Sequence, residues 1–206
     1  MVGVSLLMIS GALTGSPAAA PLPPAPAAAG TVAGTAAPAP ESSAQPVTAL
    51  GFSPPTRLSI PRIGVDAPFT NLDLDGSGAL NAPPVDNKNL VGWYQGGASP
   101  GEAGAAIVVG HVDTRTGPAV FLMLRTLKPG DTVDVTRADG VTAKFSVDSV
   151  QAFAKDHFPD QQVYGDTTDA QLRLITCGGT YDKAKKDYLD NVVVFAHLTS
   201  SAGPEQ

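Results

Sequence analysis

Two residue types in this 206-residue chain could together perform acyl transfer: a single cysteine, Cys177, and a histidine, His111, far upstream of it. A lone thiol has no partner for an intramolecular disulfide, so Cys177 is either an inert buried side chain or a nucleophile. Its setting favours the nucleophile. It ends the run Leu172-Arg173-Leu174-Ile175-Thr176-Cys177, whose alternation and β-branched residues read as a strand. Gly178-Gly179 follow and leave the sulfur open on one side. Gly110-His111-Val112-Asp113 puts the histidine at the end of another apolar strand, Ala105 to Val109. A thiolate can attack a carbonyl carbon, and an imidazole can move the proton that the leaving amine requires.

Strand periodicity extends the site. Side chains two apart share a face, so Cys177, Ile175 and Arg173 project together and Thr176, Leu174 and Leu172 project to the other side. An arginine aimed into an apolar interior is costly. The face with Arg173 is therefore expected to be open to substrate, with Arg173 as the candidate donor to the oxyanion. Ile175 and Thr176, next to the thiol, are candidate substrate contacts. His157, in Lys155-Asp156-His157-Phe158-Pro159, reads as a loop residue, and His197, at the end of the last strand, as a solvated one. Three dispersed histidines and one cysteine give no zinc-ligand spacing. Asp73 and Asp75 lack the full set of oxygen ligands that calcium needs. No metal or cofactor site is expected. Asp113 reads as a turn residue ahead of Thr114-Arg115-Thr116-Gly117, and Trp93 and Tyr94 as packing at a barrel edge.

The elements that must position these groups are mostly strands. Leu58–Ile60 is stopped by Pro61, and Gly64–Phe69 follows a turn. Ala105–Val109 is continuously apolar, and Thr132–Thr136 and Thr142–Val150 alternate on either side of the Ala138-Asp139-Gly140 hairpin signal. Leu172–Cys177 and Val192–His197 complete the set. Only Val120–Leu127 reads as a short helix. Many short, closely spaced strands argue for a closed or nearly closed β-barrel.

Several ordered motifs resemble the sortase family, the surface transpeptidases of Gram-positive bacteria, over roughly Arg57 to Leu198. They are Leu174-Ile175-Thr176-Cys177 and Gly110-His111-Val112-Asp113. Val91-Gly92-Trp93-Tyr94, Gly117-Pro118-Ala119-Val120-Phe121 and Tyr188-Leu189-Asp190-Asn191-Val192-Val193-Val194 give them the flavour of the actinobacterial class F group. The resemblance implies a mainly β fold, the closed eight-stranded sortase barrel with one or two short helices. It implies a cysteine transpeptidase that cuts an LPXTG-like sorting signal after its threonine through a thioacyl enzyme. The acceptor would be an amine of a peptidoglycan precursor or of another protein, and the clients surface proteins bearing a C-terminal sorting signal. Cys177 would be the nucleophile and His111 the acid and base. The family places an arginine at the start of the strand after the cysteine. Residues 188–194 contain none, and Asn191 stands in its place as a further substrate contact. A cysteine endopeptidase with water as acceptor, and a silent wall-binding module, are the alternatives.

Composition bounds the rest. The net charge of −6 and pI near 4.8 oppose nucleic-acid binding, which wants a basic face. Val2–Leu13 is an apolar stretch suited to a signal-peptide core and short for a full span of about 20 residues. It lacks the usual preceding basic residues, as in a segment trimmed at its start. A cleaved signal and an uncleaved tether both fit; the resemblance implies the tether and an extracytoplasmic, cell-surface location. Residues 1–15 thus read as the anchor and the Ala/Pro-rich residues 16–50 as a disordered linker. Residues 51–200 read as the catalytic domain, about 150 residues and large enough for one core, and residues 201–206 as a tail.

Overall fold

The computed structural model describes residues 47–203. Residues 1–15, expected as an anchor, and the expected linker up to residue 46 lie outside the described residues, as do residues 204–206. Among the described residues no helix is long and apolar enough to cross a membrane.

Alternating sequence becomes alternating burial. β1 (Pro55–Ile60) and β2 (Val65–Leu72) are antiparallel, joined by a single 3-10 turn that ends on Gly64 at φ 66°, a conformation glycine adopts without strain. β3 (Val91–Tyr94) runs parallel to β2, and β4 (Gly104–Gly110) antiparallel to β3. A two-stranded hairpin of β5 (Asp113–Thr114) and β6 (Gly117–Pro118) stands beside the barrel. β7 (Thr132–Arg137) and β8 (Thr142–Ala154) form the hairpin that the Ala-Asp-Gly sequence announces. β9 (Ala170–Asp182) and β10 (Asp187–Ala202) are the long final pair. The order β1-β2-β3-β4-β9-β10-β8-β7 closes on itself as an eight-stranded barrel, which leaves no free sheet edge.

The seven strands expected from the sequence are all present, and β3 is the eighth strand of the barrel. Val91-Gly92-Trp93 is buried without interruption, so the two-residue period is missing from its sequence. The short helix expected over Val120–Leu127 is present as one 3-10 turn, Leu124–Thr126, preceded by turns. Its buried residues, Phe121, Leu124 and Leu127, recur every third position, the spacing of a 3-10 helix. The one α-helix among the described residues is the short α1 (Asp160–Tyr164), inside the β8–β9 connection.

Two apolar clusters result. The barrel interior holds Leu58, Val91, Val108, Phe145, Leu172, Leu174, Val194 and their neighbours, closed at one end by Phe121 and Leu124. Each such side chain contributes about 1.5–3 kcal/mol when fully buried. A second cluster lies on the outer face of β4, β9 and β10. There Ile107, Ile175, Val193 and Phe195 are covered by Phe158, Val163 and Tyr164 from the β8–β9 connection. β9 belongs to both clusters, with alternate residues in each.

Candidate active site

Cys177 sits on the outer row of β9, directly opposite Asn191 of β10. Paired residues share a face, so the thiol and the Asn191 side chain point the same way. Both line a pocket whose walls come from Leu80 and Ala82 of the β2–β3 connection, Val109, Tyr164 and Ile175. The two glycines that follow are demanded by geometry. A Cβ on Gly178 would stand 2.7 Å from Val192 Cγ2, and Gly179 has φ 74°. The register slips here, between Tyr188 and Asp190, so the strand bulges just past the thiol.

The residue at the sulfur is one that sequence reasoning missed. Lys155, where β8 ends, places its Nζ 3.6 Å from Cys177 Sγ. The same Nζ donates to both carboxylate oxygens of Asp187 at 2.8 Å, and the pair is mostly buried, with side-chain exposures of 15% and 24%. The ladder explains this meeting: Ala154 pairs with Asp190, and Phe153 with Asn191, which pairs in turn with Cys177. Burial pushes the Cys177 thiol up from its usual range; the Lys155 ammonium pulls it back, while Asp187 and Asp113 push it up.

His111 leaves the barrel at the same end. β4 runs parallel to β9 with Val109 opposite Ile175, and Thr176 Oγ1 donates to Gly110 O at 2.8 Å. The next residue, His111, therefore emerges at the level of Cys177. Its Nε2 is 2.8 Å from the carbonyl oxygen of Pro83, in the β2–β3 connection. A carbonyl only accepts, so Nε2 carries the proton in this arrangement. Asp113 is turned elsewhere and accepts a hydrogen bond from Tyr188 OH at 2.5 Å. That bond and burial hold the Tyr188 phenol up at about 12.

Arg173 shares the row of Cys177, but that part of the row is not open. The side chain is 4% exposed, its guanidinium stacks 4.7 Å from the Phe195 ring centre, and it donates to Gln171 Oε1 and Leu172 O. Its Nε is buried without a partner. It does not line the pocket that contains the thiol. The expectation of an exposed strand face is corrected here: the β8–β9 connection covers it. Ile175 and Asn191 do line the pocket, and Thr176 borders it while its hydroxyl is committed to Gly110. His157 is exposed beside Asp156, His197 Nδ1 is 2.6 Å from Asp148, and the Trp93 indole donates to Ala98 O. No cluster of three or more potential metal ligands occurs among the described residues.

The family model of the sortase domain matches residues 58–199. The chain belongs to the sortase domain family. Solved sortases share its fold. Sortase A of Listeria monocytogenes is 15% identical, with a TM-score of 0.56 over 75% of this chain and 92% of that one. Sortase A of Corynebacterium diphtheriae is 22% identical, with a TM-score of 0.54 over 71% of this chain and 61% of that one. Sortase C1 of Streptococcus agalactiae is 21% identical, with a TM-score of 0.53 over 71% and 69%. Among curated proteins none matches by sequence. Sortases are extracytoplasmic cysteine transpeptidases, and this sortase domain carries one cysteine, on the strand that borders its pocket.

Proposed function

We propose that this sortase domain cleaves an LPXTG-like sorting signal after its threonine and transfers the acyl group to an amine, with Cys177 as nucleophile and His111 as acid and base. The observation that carries this reading is the pocket at the end of β4 and β9: it contains the single thiol, and His111 leaves β4 beside it. The Cys177 thiolate attacks the threonine carbonyl carbon. The His111 imidazolium gives its proton to the departing amine nitrogen as the C–N bond breaks, leaving a thioester and neutral His111. The acceptor amine then loses a proton to His111 and attacks the thioester carbon, and the thiolate leaves. The two steps restore thiolate and imidazolium, so the exchange needs no external energy source or cofactor.

Ile175 and Asn191 would contact the bound peptide, with Thr176 holding the strand in register from behind. For Arg173, burial against Phe195 favours a packing role over the oxyanion role that strand spacing suggests. The polypeptide clients would be surface proteins with a C-terminal sorting signal, and the acceptor a peptidoglycan precursor or a second protein. Both substrates lie outside the cytoplasm, and residues 1–15 would tether the enzyme to the membrane. The class F motifs point to an actinobacterial setting. The test is incubation with a library of sorting-signal peptides and an amine, read by mass spectrometry. Amine-capped products of cleavage after threonine support the reading. Cleavage that ignores the added amine would make the chain an endopeptidase, and no covalent adduct at Cys177 would make it a silent module.

A further inference from the structure

We propose that Lys155 is a catalytic residue of this site, the fixed counter-charge of the Cys177 thiolate, held on the sulfur by Asp187. The inference deepens the proposed function and rests on Cys177 being its nucleophile.

Three observations carry it. The Nζ of Lys155 is 3.6 Å from Sγ, within reach of a thiolate, and among the described hydrogen bonds it is the only one to this sulfur. The ammonium is not free to swing away, because both oxygens of Asp187 hold it at 2.8 Å and the pair is largely buried. Beyond the His111 imidazolium, which loses its charge when it gives up its proton, the strands around the thiol bring no other cation to it. Residues 188–194 contain no arginine, and the Arg173 guanidinium is spent on Phe195 and Gln171.

The charges around the sulfur show why such a cation matters. Lys155 faces it from the end of β8, Asp187 and Tyr188 from β10, Asp113 from β5, and His111 emerges from β4. Burial and both carboxylates oppose ionisation of the thiol, and Lys155 opposes them. A buried thiolate without a cation would simply take up a proton. Lys155 keeps its three protons throughout, and no bond to it is made or broken. When the thiolate adds to a carbonyl, the negative charge moves two bonds away, through the carbonyl carbon to the oxyanion, still near the same ammonium.

The experiment is the rate of alkylation of the full chain by iodoacetamide as a function of pH. Cys177 is the only cysteine, so the mass of the intact protein reads this thiol alone. Lys155→Met should slow alkylation at pH 7 by about tenfold or more and move the midpoint to higher pH. Lys155→Arg, which keeps the charge, should stay within about threefold of wild type. Asp187→Asn removes an opposing charge while its amide oxygen still accepts a hydrogen bond from Nζ and keeps the ammonium on the sulfur, so it should alkylate faster than wild type at pH 7. This third variant tests the inference even if Lys155→Met does not fold. A Lys155→Met profile that superposes on wild type, an Arg variant as slow as the Met variant, or an Asp187→Asn variant no faster than wild type overturns the proposal. The assay uses no peptide. Lysine-dependent alkylation in a protein that transfers no peptide would overturn the proposed function, and with it the catalytic role, and leave Lys155 only as the counter-charge of the thiol.

Discussion

The outer row of β9 has a cation near each end, and the two differ in every respect that governs chemistry. At one end the Arg173 guanidinium is buried under the Phe195 ring, with no ion pair to a carboxylate among the described residues and with its Nε unsatisfied. Burial pulls its pKa down. At the other end Lys155 arrives from a different strand, is gripped by Asp187, and touches the thiol. Arg173 and Cys177 point the same way but lie about 13 Å apart along the strand by its rise per residue. A shared face is therefore weak evidence of a shared site. Lys155 follows β8, two strands from β9 and so about 10 Å away across the sheet, and its long side chain closes that gap.

The sharpest test of this contrast is removal of the thiol. Cys177→Ala should abolish acyl-enzyme formation and peptide transfer while leaving the thermal transition in place, since the side chain belongs to neither apolar cluster. Peptide transfer by this variant, measured by mass spectrometry, would end the cysteine mechanism. Next in size, His111→Ala should lower turnover by about 10²–10⁴-fold, the usual worth of general acid–base assistance. His157→Ala and His197→Ala should remain near wild type, and equal losses in all three would remove His111 from its role.

The two ends of the row are then compared directly by acylation rate. Asn191→Ala, opposite the thiol in the pocket, should slow acylation by about tenfold, in keeping with the loss of one polar substrate contact. Arg173→Met should stay within about threefold, because an apolar chain of similar length fits beside Phe195 and relieves an unpaired buried charge. If Arg173→Met is the crippled variant, the spacing along the strand was the better guide and the oxyanion role returns to Arg173. The smallest effect expected is that of Tyr188→Phe, which removes the hydrogen bond to Asp113 and should cost up to about 1 kcal/mol of stability. The hydrogen bond to Asp113 pushes the Tyr188 phenol up to about 12 from an ordinary 10.0. Its contribution should be intact below that ordinary value and disappear as pH rises through the folded one. A thermal-melt difference between wild type and Tyr188→Phe that persists unchanged above pH 12 would contradict this.

Most of the barrel was legible because a half-buried strand writes its own period into the sequence. β7 and β8 alternate residue by residue, and the turn between them carries a hairpin signal. β3 was not, because it is only four residues long, contains a glycine and is buried without alternation, and the short helix read at 120–127 is present only as the 3-10 turn Leu124–Thr126. In the site, Cys177 and His111 announced themselves by residue type and by standing at strand ends. Lys155 gave no local sign: it lies 22 positions from the cysteine, in a polar loop sequence. It becomes visible only once β8, β10 and β9 are laid side by side in register. The open face expected around Arg173 failed for a related reason, since the segment that covers it, with Phe158, Val163 and Tyr164, carries no strand or long-helix pattern of its own.

The parity of β9 has a consequence for how such a chain can change over time. Leu172, Leu174 and Thr176 serve the barrel interior, while Arg173, Ile175 and Cys177 serve the outside. The odd-numbered row can be re-lined one position at a time, altering what the pocket accepts, while the even-numbered row keeps the barrel folded. Insertion or deletion of a single residue between 171 and 176 has no such latitude. It would exchange the two rows beyond the change and turn the sulfur into the hydrocarbon interior, with Thr176 in its place after an insertion and Gly178 after a deletion.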